Sequence, residues 1–156
     1  MKKFFNFLGL SVVLFLTACA KEPIASQEEM VNAKQFKAPP KNKSALYVYR
    51  ENHFGGYALR KAISIDGKEI GSLVRGTFLY TLLPPGQHRI STYSEFGRNH
   101  LDLSMKEGKN YFVKQELKMG VFFAGAKLTE VSENQGKQDI SQLKMTTIRQ
   151  FKKRDF

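Results

Sequence analysis

The sequence predicts an all-β fold, an antiparallel β-sandwich of about seven or eight short strands with a short N-terminal helix and a C-terminal helix. Three observations lead to this fold class. Short runs rich in β-branched and aromatic residues occupy residues 45–132. Turn residues separate these runs at regular intervals. Apolar residues at helical spacing occur before residue 44 and after residue 132.

The first segment has the pattern of a secretory signal. Met1-Lys2-Lys3 is positively charged, residues 4–16 are almost wholly apolar, and small residues precede Cys19, the single cysteine of the chain. The apolar run is too short for a comfortable membrane span. We therefore predict that residues 1–18 form a signal peptide.

The end of this segment carries a resemblance. Leu16-Thr17-Ala18-Cys19 resembles the bacterial lipobox, in which the cysteine is diacylated and becomes the mature N-terminus. The resemblance implies cleavage between Ala18 and Cys19, lipid on Cys19 and a membrane as partner. Ala20 stands where aspartate would retain an enterobacterial lipoprotein in the inner membrane, which favours the outer membrane. The alternative is an ordinary signal whose cysteine happens to lie near the cut.

Residues 19–44 are mostly polar and read as a tether that contains one short helix. Ser26 and Glu29 have the spacing of a capping box, and Ala25 and Met30 have the spacing of a hydrophobic staple. The predicted helix runs from about residue 27 to residue 37, and Pro39-Pro40 ends it.

The sandwich domain is expected over residues 45–132. Asp66-Gly67 is a strong signal for a two-residue hairpin turn, and Pro84-Pro85-Gly86-Gln87 is typical of another tight turn. The first strand has apolar residues on both faces. The predicted strands are residues 45–50, 59–65, 69–74, 77–83, 88–95, 100–105, 111–119 and 126–132.

Residues 133–156 differ from the rest of the chain. Ile140, Leu143, Ile148 and Phe151 have helical spacing with basic residues around them, so we expect a helix over about residues 137–144, followed by a basic tail.

Three motifs in this order resemble a family of small bacterial lipoproteins known only as a domain of unknown function. They are Ser-Ala-Leu-Tyr-Val-Tyr-Arg at residues 44–50, Ile-Asp-Gly-Lys-Glu-Ile-Gly at 65–71 and Leu-Pro-Pro-Gly-Gln-His at 83–88. The last motif, continued by Arg89 and Ile90, is similar to the PEGA-like modules of envelope proteins. The resemblance covers residues 33–144. It implies an immunoglobulin-like or PEGA-like sandwich exposed in the envelope, and it supplies no catalytic residues.

The chain is basic, with a formal net charge of +11, and removal of the two signal-peptide lysines leaves +9. On a secreted, tethered protein such a charge favours anionic neighbours such as lipid headgroups, lipopolysaccharide or wall polymer. Nucleic acid is a poor partner outside the cytoplasm. The alternative is a basic surface that serves only solubility.

The sequence contains little that resembles catalysis, and we expect no enzyme and no cofactor. The three histidines, His53, His88 and His100, lack the spacing of a metal site, although each lies near a strand end and all could meet at one rim. A Gly-x-Ser-x-Gly nucleophile motif is missing from the sequence, and acylation would consume the only thiol.

Two stretches are candidate binding segments. Phe122 and Phe123 could form an exposed apolar loop tip, or else plug one end of the sandwich. Lys152, Lys153 and Arg154 could bind anionic headgroups, or else belong to a solvated terminus.

These observations favour a non-catalytic, lipid-anchored envelope protein that acts as a binding or structural module. A small-ligand or metal-binding module at the sandwich rim is the alternative, with the histidines as contacts. An envelope hydrolase is the third hypothesis, and it would require a polar cleft that holds a base and a nucleophile.

Overall fold

The computed structural model describes residues 23–53, 59–94, 97–118, 120 and 124–148. The expected all-β sandwich with short helices is confirmed. The helices are α1 (Gln27–Ala33) and α2 (Glu133–Ile140), and the strands are β1 (Ser44–Arg50), β2 (Lys61–Ile65), β3 (Lys68–Leu73), β4 (Thr77–Leu83), β5 (Gly86–Ser94), β6 (Gly97–Met105), β7 (Asn110–Lys118), β8 (Gly125–Val131) and β9 (Lys144–Met145).

The strands form two sheets, with orders β8-β7-β1-β4-β9 and β3-β2-β5-β6. Most neighbours are antiparallel, as expected, but β1 pairs with β7 and β4 pairs with β9 in parallel. Alternation of polarity sets which face of a strand is buried and carries no information about the direction of its neighbour. The long connection between β1 and β7, which builds the whole second sheet, supplies the crossover that a parallel pair requires.

The two sheets enclose the main core. Leu46 and Val48 of β1 face the second sheet, where Ile63 and Ile90 are fully buried against them. Apolar residues from six strands complete this cluster: Ile65, Leu73, Leu79, Leu103, Met105, Val113 and Leu128. Burial of this many aliphatic side chains is the main driving force for closing the sandwich.

The five-stranded sheet is covered on its other face as well. Tyr47 and Tyr49 of β1 point away from the sandwich core, towards a layer made by α1, α2 and the segments that follow them. Tyr47 stacks on Phe112 with ring centroids 4.9 Å apart. All seven residues of β1 are therefore buried, which explains why both faces of this strand are apolar in the sequence.

The hairpin turn predicted at Asp66-Gly67 connects β2 and β3. Both residues have positive φ, 50° and 82°, as a type I′ turn requires.

The first helix is shorter than expected. The Ser26–Glu29 capping box forms, but the helix ends at Ala33 rather than near residue 37. Phe36 then adopts a left-handed φ of 49° and lies 5.4 Å from the Tyr47 ring. The described part of the segment expected to be a tether, residues 23–44, thus packs on the five-stranded sheet, because its apolar residues complete the cover of β1.

The second helix was predicted at the wrong position. It begins after the N-cap Ser132 and ends at Ile140, so residues 141–144 are not helical. The chain instead joins the open edge of β4, where the Lys144 and Thr146 amides donate to the carbonyls of Gly76 and Phe78. β-branched residues after Met145 favour this extended conformation, whereas the apolar spacing of Ile140 and Leu143 imitates a helix.

The contact between α2 and β7 predicts a cost for a small substitution. A Cβ at Gly136 would overlap the Phe112 ring. We expect Gly136→Ala to lower the free energy of unfolding by about 1–3 kcal/mol through overpacking, despite a gain of up to about 1 kcal/mol in helix propensity. Urea denaturation measures the change. Gln138→Ala, on the exposed side of the same helix, is the control, and a Gly136→Ala variant at least as stable as wild type would contradict this packing.

Candidate functional site

The two ends of the described chain are paired at one edge of the five-stranded sheet. Ile24 and Thr146 form an antiparallel bridge. The Ala25 amide donates to the Met145 carbonyl at 2.9 Å, and the Thr147 amide donates to the Pro23 carbonyl at 3.0 Å. Pro23 and Thr147, one near each end of the described chain, therefore lie side by side.

This pairing limits how far the predicted lipid attachment can lie from the domain. Cys19 precedes Pro23 by four residues. An extended chain spans at most about 3.3–3.6 Å per residue, so the two Cα atoms are separated by no more than about 14 Å.

Several predicted site residues lie outside the described residues. These are the cleavage pair Ala18 and Cys19, the loop residues Phe122 and Phe123, and the basic residues Lys152, Lys153 and Arg154. Their predicted roles stay predictions.

His88 is the buried histidine of the three. Its Nδ1 lies 2.7 Å from Asp66 Oδ2 and its Nε2 lies 2.8 Å from the Pro84 carbonyl, so both ring nitrogens face acceptors. Burial opposes the charged form, but these two hydrogen bonds and the Asp66 charge outweigh it and raise the pKa of His88. The His88 ring joins the β2–β3 turn to the β4–β5 turn.

Asp66 completes this connection. Its Oδ1 accepts the Arg89 amide proton at 2.8 Å. Desolvation opposes ionisation of this carboxyl, yet the hydrogen bonds from Arg89 and His88 prevail and lower the pKa of Asp66.

The other two histidines lie elsewhere. His53 is 81% exposed, with Nε2 2.7 Å from Glu51 Oε2. His100 Nδ1 lies 2.8 Å from Ser91 Oγ. His88 shares the inward face of β5 with Ile90, whereas His100 pairs with Ser91 on the outer face. Among the described residues, no three His, Cys, Asp or Glu side chains are grouped so that they could hold a metal ion.

An open groove of about 470 Å³ lies next to the His88–Asp66 pair, and Gln87, Arg89 and Asp102 complete its lining. The Arg89 guanidinium binds both Asp102 oxygens, at 2.7 and 2.9 Å. Each carboxylate in the groove thus has a basic partner, Arg89 for Asp102 and His88 for Asp66. This arrangement offers hydrogen-bonding groups, and both ring nitrogens of its histidine are directed at acceptors within the fold.

A second polar cluster, which the sequence analysis missed, lies beneath α2. The Tyr49 hydroxyl donates to Asp139 Oδ2 at 2.5 Å, and Gln135 donates to the other carboxylate oxygen at 2.6 Å. Burial, followed by the hydrogen bond to Asp139, raises the pKa of Tyr49. Beside it, Lys114 forms an ion pair with Glu51.

This cluster joins β1, β7 and α2. Tyr49 and Asp139 are 90 residues apart in the sequence, so no local sequence signal identifies the pair. Its groups satisfy one another and fix α2 on the sheet.

Comparison with known proteins gives the family. A family model described as "Protein of unknown function (DUF2846)" matches residues 40–126, more than half of the chain. The chain belongs to this family. An "Uncharacterized protein" of Haemophilus influenzae (strain ATCC 51907 / DSM 11121 / KW20 / Rd) is 48% identical over 136 residues, which cover 87% of this chain and 80% of that protein. No solved structure matches the chain.

The match confirms the expected membership of a family of unknown function. It begins at Pro40, after α1, and ends at Ala126, so it contains β1 to β7 and the first two residues of β8, but neither helix and not β9. The PEGA-like resemblance stays a prediction. Of the helices in the described residues, none has the length and apolar character needed to cross a membrane.

The His88–Asp66 pair predicts a pH-dependent contribution to stability. Because the pKa of His88 is raised from 6.5, its contribution is complete below that value and is lost as the pH rises through the folded-state pKa. Because the pKa of Asp66 is lowered from 3.8, its contribution is complete above that value and is lost as the pH falls. The pair therefore stabilises the fold most between these two ordinary values.

Asp66→Asn removes the charge while retaining a residue that tolerates the left-handed turn. We expect it to lower the free energy of unfolding by about 1 kcal/mol near pH 5, since Asp66 is half-exposed, and by less near pH 9. Urea denaturation at both pH values measures this. Asp102→Asn is the control, because its partner Arg89 does not titrate in this range. If the loss of unfolding free energy in Asp66→Asn stays constant or grows as the pH rises, His88 is not the charged partner.

Proposed function

We propose that the protein is a non-catalytic, lipid-anchored module of the cell envelope that is held by Cys19 and faces the periplasm from the outer membrane. The observation that carries the proposal is the short distance between two features. A lipobox-like sequence ends at Cys19, and a domain whose backbone is already paired begins at Pro23.

The first support is the agreement of three sequence features. The positive start, the short apolar run and the small residues before a lone cysteine coincide in position. An acyl chain alone gives marginal attachment, whereas several acyl chains or a second contact make it stable.

The second support is the arrangement of the chain around Pro23. A domain that is to work at a distance from its membrane needs a long spacer, whereas here at most about 14 Å of chain separates Cys19 from Pro23. This spacing suits a module that acts at the membrane surface.

The third support is that the polar groups of both clusters are paired with one another. In the groove beside His88 and in the cluster beneath α2, the ionisable side chains form hydrogen bonds or ion pairs with one another. Such groups stabilise a rigid surface. A binding or structural role for that surface fits these contacts better than a reaction does.

The anchor is tested by Cys19→Ala. We expect this variant to lose the mass of the acyl groups and to move from the membrane fraction to the soluble fraction, because the sequence contains no other thiol that could form the thioether. Mass spectrometry of the purified protein and fractionation of intact cells measure the two effects.

Ala20→Ser, next to the acylated position, is the matched control and should stay acylated and membrane-bound. A Cys19→Ala protein that is processed normally and remains with the membrane would overturn the proposed function.

A further inference from the structure

Four lysines are gathered at one end of the sandwich. Lys41 and Lys43 precede β1, and Lys106 and Lys109 lie between β6 and β7. All four are exposed, and among the described residues none of them forms an ion pair. We call the surface made by these four residues the basic end.

Backbone hydrogen bonds hold the basic end together. The Gly108 amide donates to the Lys43 carbonyl at 2.8 Å, and the Ala45 amide donates to the Lys109 carbonyl at 3.0 Å. The one carboxylate between the lysines, that of Glu107, accepts the Asn42 amide proton at 2.8 Å. The lysines are therefore presented on a fixed scaffold with a net positive charge.

Three pairs of charged groups in the described residues have partners within the fold: Asp66 contacts His88, Arg89 contacts Asp102, and Glu133 contacts Lys137. The four lysines of the basic end have no such partner among the described residues, so their charge remains available to a diffuse anionic surface.

Both ends of the described chain run towards the basic end. Ser44 pairs with Leu83, so β4 finishes where β1 starts. β9 is parallel to β4, and the chain from Ala25 back to Pro23 follows the same direction because it is antiparallel to β9.

The distance from Thr147 to the basic end, measured along the strands, is within the reach of the four residues before Pro23. Continuing the register of β9 places Thr147 beside Tyr80, three residues before the end of β4. At about 3.3 Å per residue this is about 10 Å from the basic end. The four residues from Pro23 to Cys19 span up to about 14 Å, enough to bring Cys19 level with the lysines and only slightly beyond them.

We propose that the basic end docks on the anionic phosphates of the phospholipid headgroups in the membrane that holds Cys19. This inference rests on the proposed function, because it uses the lipid on Cys19 to bring the lysines close to the surface. Attraction between exposed charges fades beyond about 8 Å at physiological ionic strength, so a short connection is needed for it to act. An acyl group combined with a cluster of basic residues is a recognised two-part membrane attachment.

The test uses the complete acylated protein in vesicles. Because Cys19 is the only cysteine and is consumed by the lipid, one introduced cysteine gives a unique site for a fluorophore. Gln87→Cys places it beside the basic end, and Gln142→Cys places it at the opposite end, next to the start of β9. Both glutamines are exposed and uncharged, so the two variants form a matched pair.

Quenching by headgroup-labelled lipid reports the distance of each fluorophore from the membrane. In phosphatidylcholine vesicles that contain phosphatidylglycerol, we expect severalfold stronger quenching at position 87 than at position 142. The difference should shrink in vesicles of phosphatidylcholine alone and at high salt. Equal quenching at both positions, or stronger quenching at position 142, would overturn the docking.

Charge variants test the lysines directly. Each cation near an anionic surface strengthens binding about fivefold. The triple variant Lys41→Gln, Lys43→Gln and Lys109→Gln should therefore lower the equilibrium constant for docking on the order of 100-fold. It should also abolish the difference in quenching between the two fluorophore positions. The control removes the same charge elsewhere, with Lys118→Gln, Lys127→Gln and Lys144→Gln, and should preserve the difference. An unchanged difference in the first variant would overturn the role of the basic end.

Failure of the proposed function has a separate signature. A protein that lacks acyl mass and does not float with the vesicles overturns both the anchor and the docking. A protein that is acylated and floats, but quenches equally at the two positions, overturns the docking alone.

Discussion

β1 is buried on both of its faces, and the positions of the second sheet and of both helices follow from this burial. One face is covered by the second sheet, and the other carries Tyr47 and Tyr49, whose hydroxyl groups need partners as well as apolar cover. Tyr47 donates to the Ala33 carbonyl at 2.9 Å and Tyr49 donates to Asp139. An unpaired buried hydroxyl would cost about 1–3 kcal/mol, so these two bonds determine where α1 and α2 lie.

This covering layer joins the core to the predicted anchor. The layer is built from the segments on either side of the family match, and these two segments pair with each other beside β4. Pro23 and Thr147 consequently lie side by side. The same packing that buries β1 thus fixes the position at which the chain leaves for Cys19, and the proposed membrane orientation follows from it.

Local signals predicted much of this fold. The strand over Thr77–Leu83, the Asp66-Gly67 turn and the Ser26 capping box each depend on neighbouring residues, and each is present. Features that depend on residues distant in sequence were missed. The parallel β1–β7 pair, the true bounds of α2 and the Tyr49–Asp139 contact result from tertiary packing. The basic end was missed for the same reason. Its two lysine pairs are more than 60 residues apart in the sequence and meet only through the pairing of β1 with β7.

Residues 23–25 belong to the folded domain, because their backbone pairs with that of residues 145–147. Hydrogen exchange of the Ala25 and Thr147 amides in the complete protein tests it most directly, because each amide donates across the pairing of the two chain ends. We expect both amides to exchange slowly, on the time scale of the amides in β4. Exchange of Ala25 and Thr147 at the rate of an unstructured peptide, beside a protected β4, would contradict it.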